Sequence, residues 1–391
     1  MVMNQKAYLH GRICYKRLNP MSQFNNLSAK PHYPVLDGLR GVAAIVVVVF
    51  HIFETHASSH LTQIINHGYL AVDFFFLLSG FVIGYAYDDR WQKLTIGGFF
   101  KRRIYRLQPM VVMGMVIGAL CFYSSGSTLW PLIHTVPVWK MLLVMLIGFT
   151  LIPIPVSMDI RGWQEMHPLD GAAWSLFFEY LANIAYALGL RKASKPVLAL
   201  LTGLSAGILI HYLVTSKTGD ITGGWSLTAE QLRVGFTRVA FPFMGGLLLS
   251  RTVKPTQFKN AFLWCSLVLV LVLALPRFGG AQHFWINGLY EALVIILMFP
   301  LIIYLGASGG ISGPVTSKIS KFLGDLSYPL YITHYGFIYI YTGWVSNHPR
   351  VSFSEALPYA LLTIFASITV AYLCLKFYDE PVRAWLNRKL P

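Results

Sequence analysis

An arginine and a histidine lie inside the first long apolar segment of this chain, where ionisable side chains are costly. Arg40 and His51 are eleven residues apart, which is close to three α-helical turns of about 3.6 residues. Both side chains therefore share one helix face, about 16 Å apart along the axis at about 1.5 Å per residue. Ionisable groups within a membrane usually face a protein interior or a watery cavity. The pair indicates a polar route into a membrane, used for chemistry or for transport.

A second basic cluster precedes the apolar segment that opens at Pro109. Arg103 and Arg106 are three residues apart, so they share a helix face. Two guanidinium groups on one face suit a phosphate or pyrophosphate, which arginine binds through two parallel hydrogen bonds. The alternative is an ordinary basic anchor on anionic lipid head groups, and the cluster taken alone favours that alternative.

Two carboxylates fall within apolar segments. Asp73 opens the second segment at a depth similar to that of His51, and a carboxylate beside a histidine fixes its tautomer and stabilises the imidazolium. Glu179 falls near the middle of its own segment, where an unpaired anion would be expensive. It is expected to pair with an arginine, to stay protonated or to contact a ligand. Ser79 and Gly80 allow another helix to approach closely.

A polar string crosses a later apolar segment, from Leu323 to His334. It includes Tyr328, and its last residue is either a ligand contact or a structural histidine with hydrogen-bonded ring nitrogens. The residues alone favour the structural interpretation of His334. Glu291 is also intramembrane, and the sequence assigns it no role.

The composition explains what positions these side chains. Of the 391 residues, 55% are hydrophobic and 12% charged, against about 25% charged in a soluble domain, and the mean hydropathy is +0.56. The net charge of +15 does not indicate nucleic-acid binding, because the basic residues fall mainly in alternate loops, as the positive-inside rule requires. The four cysteines lack the close spacing of a metal site or a disulfide framework.

The sequence predicts an all-α polytopic membrane protein. Its eleven apolar segments lie near 37–57, 68–88, 109–127, 137–157, 172–190, 196–216, 235–250, 260–276, 286–306, 324–345 and 355–377. If all of them crossed, the two basic tails would face opposite sides. Segment 137–157 contains three prolines and a lysine, so we expect it to be re-entrant or interfacial. About ten spans remain, with both termini cytoplasmic: a tail over 1–36, one membrane domain over 37–391 with a short C-terminal tail, and an outer loop over 158–171.

These motifs resemble those of the membrane-bound acyltransferase family 3, which O-acylates carbohydrates and related hydroxyl acceptors. Five motifs occur in the family's order: Arg40-x10-His51, Val72-Asp-Phe-Phe-Phe-Leu-Leu-Ser-Gly-Phe81, Arg103-x-x-Arg106-x-x-Pro109, Trp174-Ser-Leu-x-x-Glu179 and Leu326-Ser-Tyr-Pro-Leu-Tyr-x-x-His334. The likeness extends from about 34 to 386. The predicted ten spans and cytoplasmic termini of this chain are also similar to those of the family.

The resemblance implies a cytoplasmic acyl-CoA donor, most often acetyl-CoA, and no metal. Arg103 and Arg106, with Arg40, would bind the phosphates of the donor at the inner mouth. Ser79, Tyr328 and His334 are further donor-binding candidates by the same resemblance.

The resemblance also implies how the reaction is catalysed. His51 would take the proton of the acceptor hydroxyl, Asp73 would orient His51, and Glu179 would shape the acceptor end. No nucleophilic serine or cysteine stands out, so we expect direct transfer without a covalent acyl-enzyme.

The expected partners are membrane lipids and a carbohydrate, lipopolysaccharide or exopolysaccharide acceptor, with choice of acceptor encoded in the loop 158–171. The expected location is the bacterial inner membrane. The alternative function is a transporter or flippase for an anionic or lipid-linked glycan, which would use the same intramembrane charges as a substrate path. A transporter needs no affinity for CoA, whereas the acyltransferase should lose donor binding when Arg103 and Arg106 become alanine.

Overall fold

The computed structural model describes residue 30 and residues 32–252, 256–311 and 313–389. Most of the tail predicted over 1–36 lies outside these residues, so its cytoplasmic position stays a prediction. The described residues form helices, joined by loops and accompanied by one isolated bridge between Phe258 and Gly309. The all-α prediction is therefore confirmed.

Fourteen α-helices follow one another along the described chain. They are α1 (Pro34–His56), α2 (Ala71–Tyr87), α3 (Ile96–Phe122), α4 (Val138–Gly148), α5 (Ala173–Leu188), α6 (Lys195–Thr215), α7 (Ala229–Thr252), α8 (Ala261–Ala274), α9 (Phe284–Leu293), α10 (Phe299–Ser308), α11 (Pro314–Thr333), α12 (Tyr335–Asn347), α13 (Phe353–Cys374) and α14 (Glu380–Lys389). A π-helical turn joins α9 to α10, and another joins α13 to α14.

Local sequence signals set several helix starts. Pro34 occupies the first turn of α1, where the missing N–H costs nothing because that group has no intrahelical partner. The hydroxyl of Ser194 accepts from the backbone of Val197 at the start of α6. Ser352 and Glu355 form a reciprocal capping box at the start of α13.

Two helix pairs make the central packing: α2 against α7, and α1 against α11. In the first pair, Gly80 contacts the backbone carbonyl of Phe243, while Gly246 contacts that of Leu77. A methyl group at either glycine would clash with backbone atoms that cannot move aside. The close helix approach predicted at Gly80 is thus confirmed, and it brings residues of α7 next to α2.

Seven helical segments of the described chain are long and apolar enough to cross a membrane: Pro34–His56, Gly68–Tyr87, Ile96–Ser125, Lys195–Thr215, Ala229–Thr252, Phe284–Ser308 and Phe353–Lys389. Three further predicted spans correspond to shorter or interrupted helices. α5 has 16 residues and α8 has 14, and segment 324–345 is divided at His334 between α11 and α12, although the backbone of His334 keeps right-handed helical angles. The count of ten and the side of each terminus stay predictions.

Segment 137–157 contains the short helix α4. Its 11 residues extend about 16 Å at about 1.5 Å per residue, roughly half of a hydrocarbon core of about 30 Å. The chain then turns at Leu151, whose φ is 58°, and continues without regular structure to a short turn at Val156–Met158.

Candidate active site

The central helices enclose a cavity of about 840 Å³, which we call the basic cavity. It follows α2 from Val72 to Ala86 and α11 from Ser317 to Tyr331. Each of these stretches is about 21 Å long at about 1.5 Å per residue. The cavity is therefore long enough to take an extended molecule lengthwise.

One end of the basic cavity carries many cationic side chains. Seven of its lining residues are lysine or arginine: Lys30, Arg40, Arg90, Arg103, Arg106, Lys321 and Arg383. The opposite, deep end is mostly apolar, with Val72, Phe75, Phe76 and Leu176 as its lining. Five carboxylates line the cavity as well: Asp37, Glu179, Asp325, Asp379 and Glu380. The remaining excess of cations over carboxylates, seven to five, suits a ligand with an anionic head and a long, weakly polar arm.

The three predicted arginines meet at this basic end but differ in their partners. Arg40 donates to Ser327 Oγ at 2.9 Å and to Asp37 Oδ1 at 3.1 Å. Arg103 is buried and forms an ion pair with Glu179 at 2.6 Å. Arg106 is exposed to the cavity and, among the described residues, has no carboxylate within 4.0 Å. Arg106 is therefore the predicted arginine most available to an added anion.

Three other residues predicted for the site also line the basic cavity: Ser79, Glu179 and Tyr328. Ser79 donates to Glu179 Oε1 at 2.8 Å, and the hydroxyl of Tyr328 donates to the carbonyl of Leu107 at 2.7 Å. The expectation that Glu179 shapes the acceptor end is wrong, because its ion pair with Arg103 places it toward the arginine end of the cavity. Of the three alternatives predicted for Glu179, the structure has the ion pair with an arginine.

The predicted histidines lie together beyond the deep end. The rings of His51 and His334 stack with centroids 5.7 Å apart, and His334 comes one helical turn after Tyr331, which lines the cavity. His334 is therefore beside His51 and does not line the basic cavity as a donor-binding residue would. Its Nδ1–H donates to the carbonyl of Tyr331 at 2.8 Å. Nε2 of His334 is then a buried acceptor with no partner among the described residues.

A carboxylate partner of His51 does exist, but it is not Asp73. His51 Nδ1 is 2.7 Å from Glu54 Oε2, one turn further along α1. With its proton on Nδ1 and donated to Glu54, the imidazole leaves Nε2 as its basic nitrogen. The i, i+3 spacing of His51 and Glu54 was visible in the sequence, and it is the signal that could have identified this pair.

Asp73 instead forms a fully buried ion pair with Arg238 of α7. The Nη2–Oδ2 distance is 2.7 Å, with side chains 2% and 0% exposed, and Arg238 also donates to the backbone carbonyls of Tyr69 and Gly223. The prediction that Asp73 orients His51 is therefore wrong. The physical reason is that α7 packs closely on α2 and supplies a cation at the same depth. Arg238 lies inside the predicted segment 235–250, so an unpaired intramembrane arginine was the missed signal.

The loop 158–171 is folded into the protein next to the histidines. The guanidinium of Arg161 lies 3.6 Å from the ring centroid of Tyr339, whose hydroxyl donates to Glu165 at 2.7 Å. Burial raises the pKa of Glu165 to about 7. The ring of Tyr335 lies 5.0 Å from that of Tyr339 and 4.9 Å from that of His51. Tyr339 and Tyr335 thus connect the loop 158–171 to His51, the candidate general base.

Within the described ranges, no group of three or more His, Cys, Asp or Glu side chains is placed to hold a metal ion. The site assembled here consists of an anion-binding end, a long cavity, and a His51–Glu54 pair beside His334. An extended anionic ligand fits the first two features. A proton acceptor with a fixed tautomer lies beyond the far end of the cavity.

Comparisons with known proteins identify the family of this chain. A family model described as an acyltransferase domain matches residues 33–376. "Protein 2 in picA locus" of Rhizobium radiobacter is 32% identical over 190 residues, which are 47% of this chain and 95% of that protein. A Staphylococcus aureus (strain MRSA252) protein named "Putative O-acetyltransferase" is 22% identical over 397 residues, 96% of this chain and 62% of that protein.

Peptidoglycan O-acetyltransferase OatA of Listeria monocytogenes is 24% identical over 389 residues, 91% of this chain and 56% of that protein. This chain therefore spans less than two thirds of the length of the two relatives named for O-acetyl transfer. No solved structure matches. Since the family model extends over most of the chain, from the residue before α1 to the turn after α13, this protein belongs to the acyltransferase 3 family.

Proposed function

We propose that this protein transfers an acyl group, most simply acetyl, from cytoplasmic acyl-CoA to a hydroxyl of an extracytoplasmic carbohydrate or glycolipid. The observation that best supports the proposal is the polarity of the basic cavity. Arginines occupy one end, and the His51–His334 pair lies just beyond the other. A long substrate with phosphates at one end and a reactive group at the other matches this arrangement.

The donor binds with its phosphates at the arginine end. Arg106 is exposed there without a carboxylate partner, and Arg40 keeps a guanidinium edge at the same mouth. Phosphate oxygens would complete the hydrogen bonding of these groups, since guanidinium forks bind phosphate through paired donors. The pantetheine arm then extends along α2 and α11 and carries the thioester to the deep end.

His51 acts as the general base. The acceptor hydroxyl oxygen attacks the thioester carbon while Nε2 of His51 takes the hydroxyl proton, and the charge of Glu54 stabilises the imidazolium that forms. The carbon–sulfur bond then breaks, and the departing thiolate takes the proton to give free CoA. Transfer is direct, without an acyl-enzyme. General-base assistance of this type contributes about 10²–10⁴-fold in rate.

The acceptor class is a carbohydrate of the cell surface. Two relatives are named for O-acetyl transfer, one of them to peptidoglycan, and the same chemistry serves lipopolysaccharide or exopolysaccharide hydroxyls. The acceptor approaches past Glu54, which is 41% exposed at the far end of α1. In the bacterial inner membrane, with both termini cytoplasmic, donor and acceptor then enter from opposite faces.

The test uses the purified full chain in liposomes with acetyl-CoA and a cell-surface glycan extract, and it follows free CoA. We expect acceptor-dependent CoA release by the wild type. His51→Ala should still bind acetyl-CoA but not turn it over, and Arg106→Ala should bind it weakly. Arg388→Ala, which removes an exposed arginine of α14 outside the cavity lining, is the matched control and should behave as wild type.

If the wild type neither binds nor turns over acyl-CoA, the proposal is wrong. Transport of an anionic or lipid-linked glycan then becomes the better explanation for the intramembrane charges. Labelled acyl groups trapped on the protein during turnover would refute direct transfer while leaving the overall reaction intact.

A further inference from the structure

Two hydroxyl groups from different helices line the deep end of the basic cavity. Tyr331 of α11 and Ser175 of α5 both line the cavity, and their oxygens are 2.7 Å apart. Both side chains are otherwise buried, at 7% and 5% exposure. They are the polar side chains that contact the cavity where its lining is otherwise apolar.

The direction of this hydrogen bond follows from the neighbouring contact. Ser175 Oγ donates its single proton to the backbone carbonyl of Ala172 at 3.0 Å. A serine hydroxyl has one proton and two lone pairs, so Ser175 accepts and Tyr331 donates. The phenolic O–H is therefore a directed donor at the far end of the cavity.

Packing fixes the position of the phenol ring. The ring of Phe75 meets it edge-on with centroids 5.2 Å apart, and the ring of His334 lies 6.1 Å away. Tyr331 thus stands between the cavity on one side and the histidines on the other. An acyl group that reaches the end of the cavity comes to this residue before it comes to His51.

We propose that the hydroxyl of Tyr331 stabilises the oxyanion that forms on the thioester carbonyl oxygen when the acceptor attacks, by donating a hydrogen bond to it. This inference rests on the proposed acyl transfer. When the acceptor oxygen bonds to the carbonyl carbon, the π electron pair moves to the carbonyl oxygen, and the Tyr331 O–H turns from Ser175 Oγ to that oxygen. When the carbon–sulfur bond breaks, the carbonyl re-forms and the O–H returns to Ser175. The proton of Tyr331 stays on its oxygen throughout.

Other donors are poorly placed for this task. The arginines lie at the opposite end of the cavity, Ser79 donates to Glu179 nearer that end, and the proton on His334 Nδ1 is taken by a backbone carbonyl. Developing negative charge in a water-poor site requires a fixed donor, and removal of one such donor typically costs about 10²–10³-fold in kcat.

The experiment compares Tyr331→Phe and Ser175→Ala with wild type. Acetyl-CoA turnover is measured in the presence of the cell-surface glycan extract. Tyr331→Phe keeps the ring contacts and removes only the hydroxyl. We expect its kcat to fall about 10²–10³-fold, with KM for acetyl-CoA unchanged within about threefold. Ser175→Ala leaves the O–H in place, so its kcat should fall less. Tyr290→Phe is the matched control, because it removes a remote hydroxyl that donates to the Val272 carbonyl.

Binding separates a catalytic from a structural role. The dissociation constant of a ketone analogue of acetyl-CoA, with carbon in place of the thioester sulfur, is measured for each variant. Normal binding with lost turnover supports the inference. Retention of wild-type kcat by Tyr331→Phe overturns it, and so does loss of analogue binding in parallel with turnover, which would make Tyr331 only a wall of the cavity. A wild type that neither binds nor turns over acetyl-CoA overturns the proposed function itself.

Discussion

The buried ion pair of Asp73 and Arg238 leads to a prediction that separates stability from catalysis. Asp73→Ala would leave the Arg238 guanidinium inside the protein with two backbone carbonyls as its remaining partners. Because both side chains are at most 2% exposed, water cannot replace the lost carboxylate. Breaking such a pair by removing one partner costs about 3–5 kcal/mol of folding free energy. We expect Asp73→Ala to unfold at clearly lower temperature than wild type.

A double variant tests the explanation. Asp73→Ala with Arg238→Met removes both charges and substitutes a flexible apolar side chain for the arginine. Replacing a buried ion pair by apolar groups is often close to neutral. The double variant should therefore be more stable than Asp73→Ala alone, with a coupling free energy of up to about 3 kcal/mol between the two sites.

Two quantities are measured for each variant: the thermal unfolding temperature in detergent, and acetyl-CoA turnover per folded molecule. His51→Ala is the reference for a catalytic defect: turnover is lost and the unfolding temperature stays near that of wild type. An Asp73→Ala protein that unfolds like wild type and yet loses turnover as His51→Ala does would refute our reasoning. Asp73 would then act in the reaction despite its ion pair.

Three further predictions concern separate parts of the site. Glu54→Gln keeps an acceptor for Nδ1–H of His51 but removes the negative charge that stabilises the imidazolium. Steady-state kinetics should therefore give a kcat about 10²-fold lower than wild type and an unchanged KM for acetyl-CoA. Arg106→Ala should raise the Kd of acetyl-CoA in titrations by about 10- to 100-fold, equivalent to about 1.5–3 kcal/mol for a charged hydrogen bond. Arg103→Ala should also lower the unfolding temperature, because it leaves the partly buried Glu179 carboxylate without its cation and with Ser79 as its remaining donor. Burial raises the pKa of Glu165 from its ordinary value of 4.5 to about 7. Between these two pH values the folded protein keeps a proton on Glu165 that the unfolded chain releases. The contribution of Glu165 to the free energy of unfolding therefore falls as the pH rises from 4.5 to about 7. Glu165→Gln should remove that part of the pH dependence, of the order of 3 kcal/mol, and identical unfolding profiles of both proteins between pH 5 and 8 would contradict it.

Much of the site could be predicted because single-helix geometry fixes it. The spacing of Arg40 and His51, and that of Arg103 and Arg106, requires only 3.6 residues per turn. The identity of ion-pair partners does not follow in this way, since it depends on which helices pack together. Asp73 and Arg238 are 165 residues apart, and only the contact of α2 with α7 decides that they meet.

The number of spans shows a similar limit. Hydropathy detects apolar segments, but it does not report where a helix ends inside one. The division between α11 and α12 at His334, and the 16-residue length of α5, are departures that hydropathy alone does not predict. Those departures are where the histidine pair and the deep end of the basic cavity are formed.

The hydrogen-bonded Tyr331 and Ser175 at the deep end of the basic cavity have a consequence for the membrane itself. A continuous water-filled passage through a multi-pass protein would let protons cross and would dissipate the membrane potential, which is worth about 2.3 kcal/mol per charge at 100 mV. The contact of Tyr331 with Ser175, backed by the ring of Phe75, interrupts such a passage. In the acyl transfer that we propose, the acceptor oxygen must contact the thioester carbon, so Tyr331 separates the two sides only until the substrates themselves fill the passage.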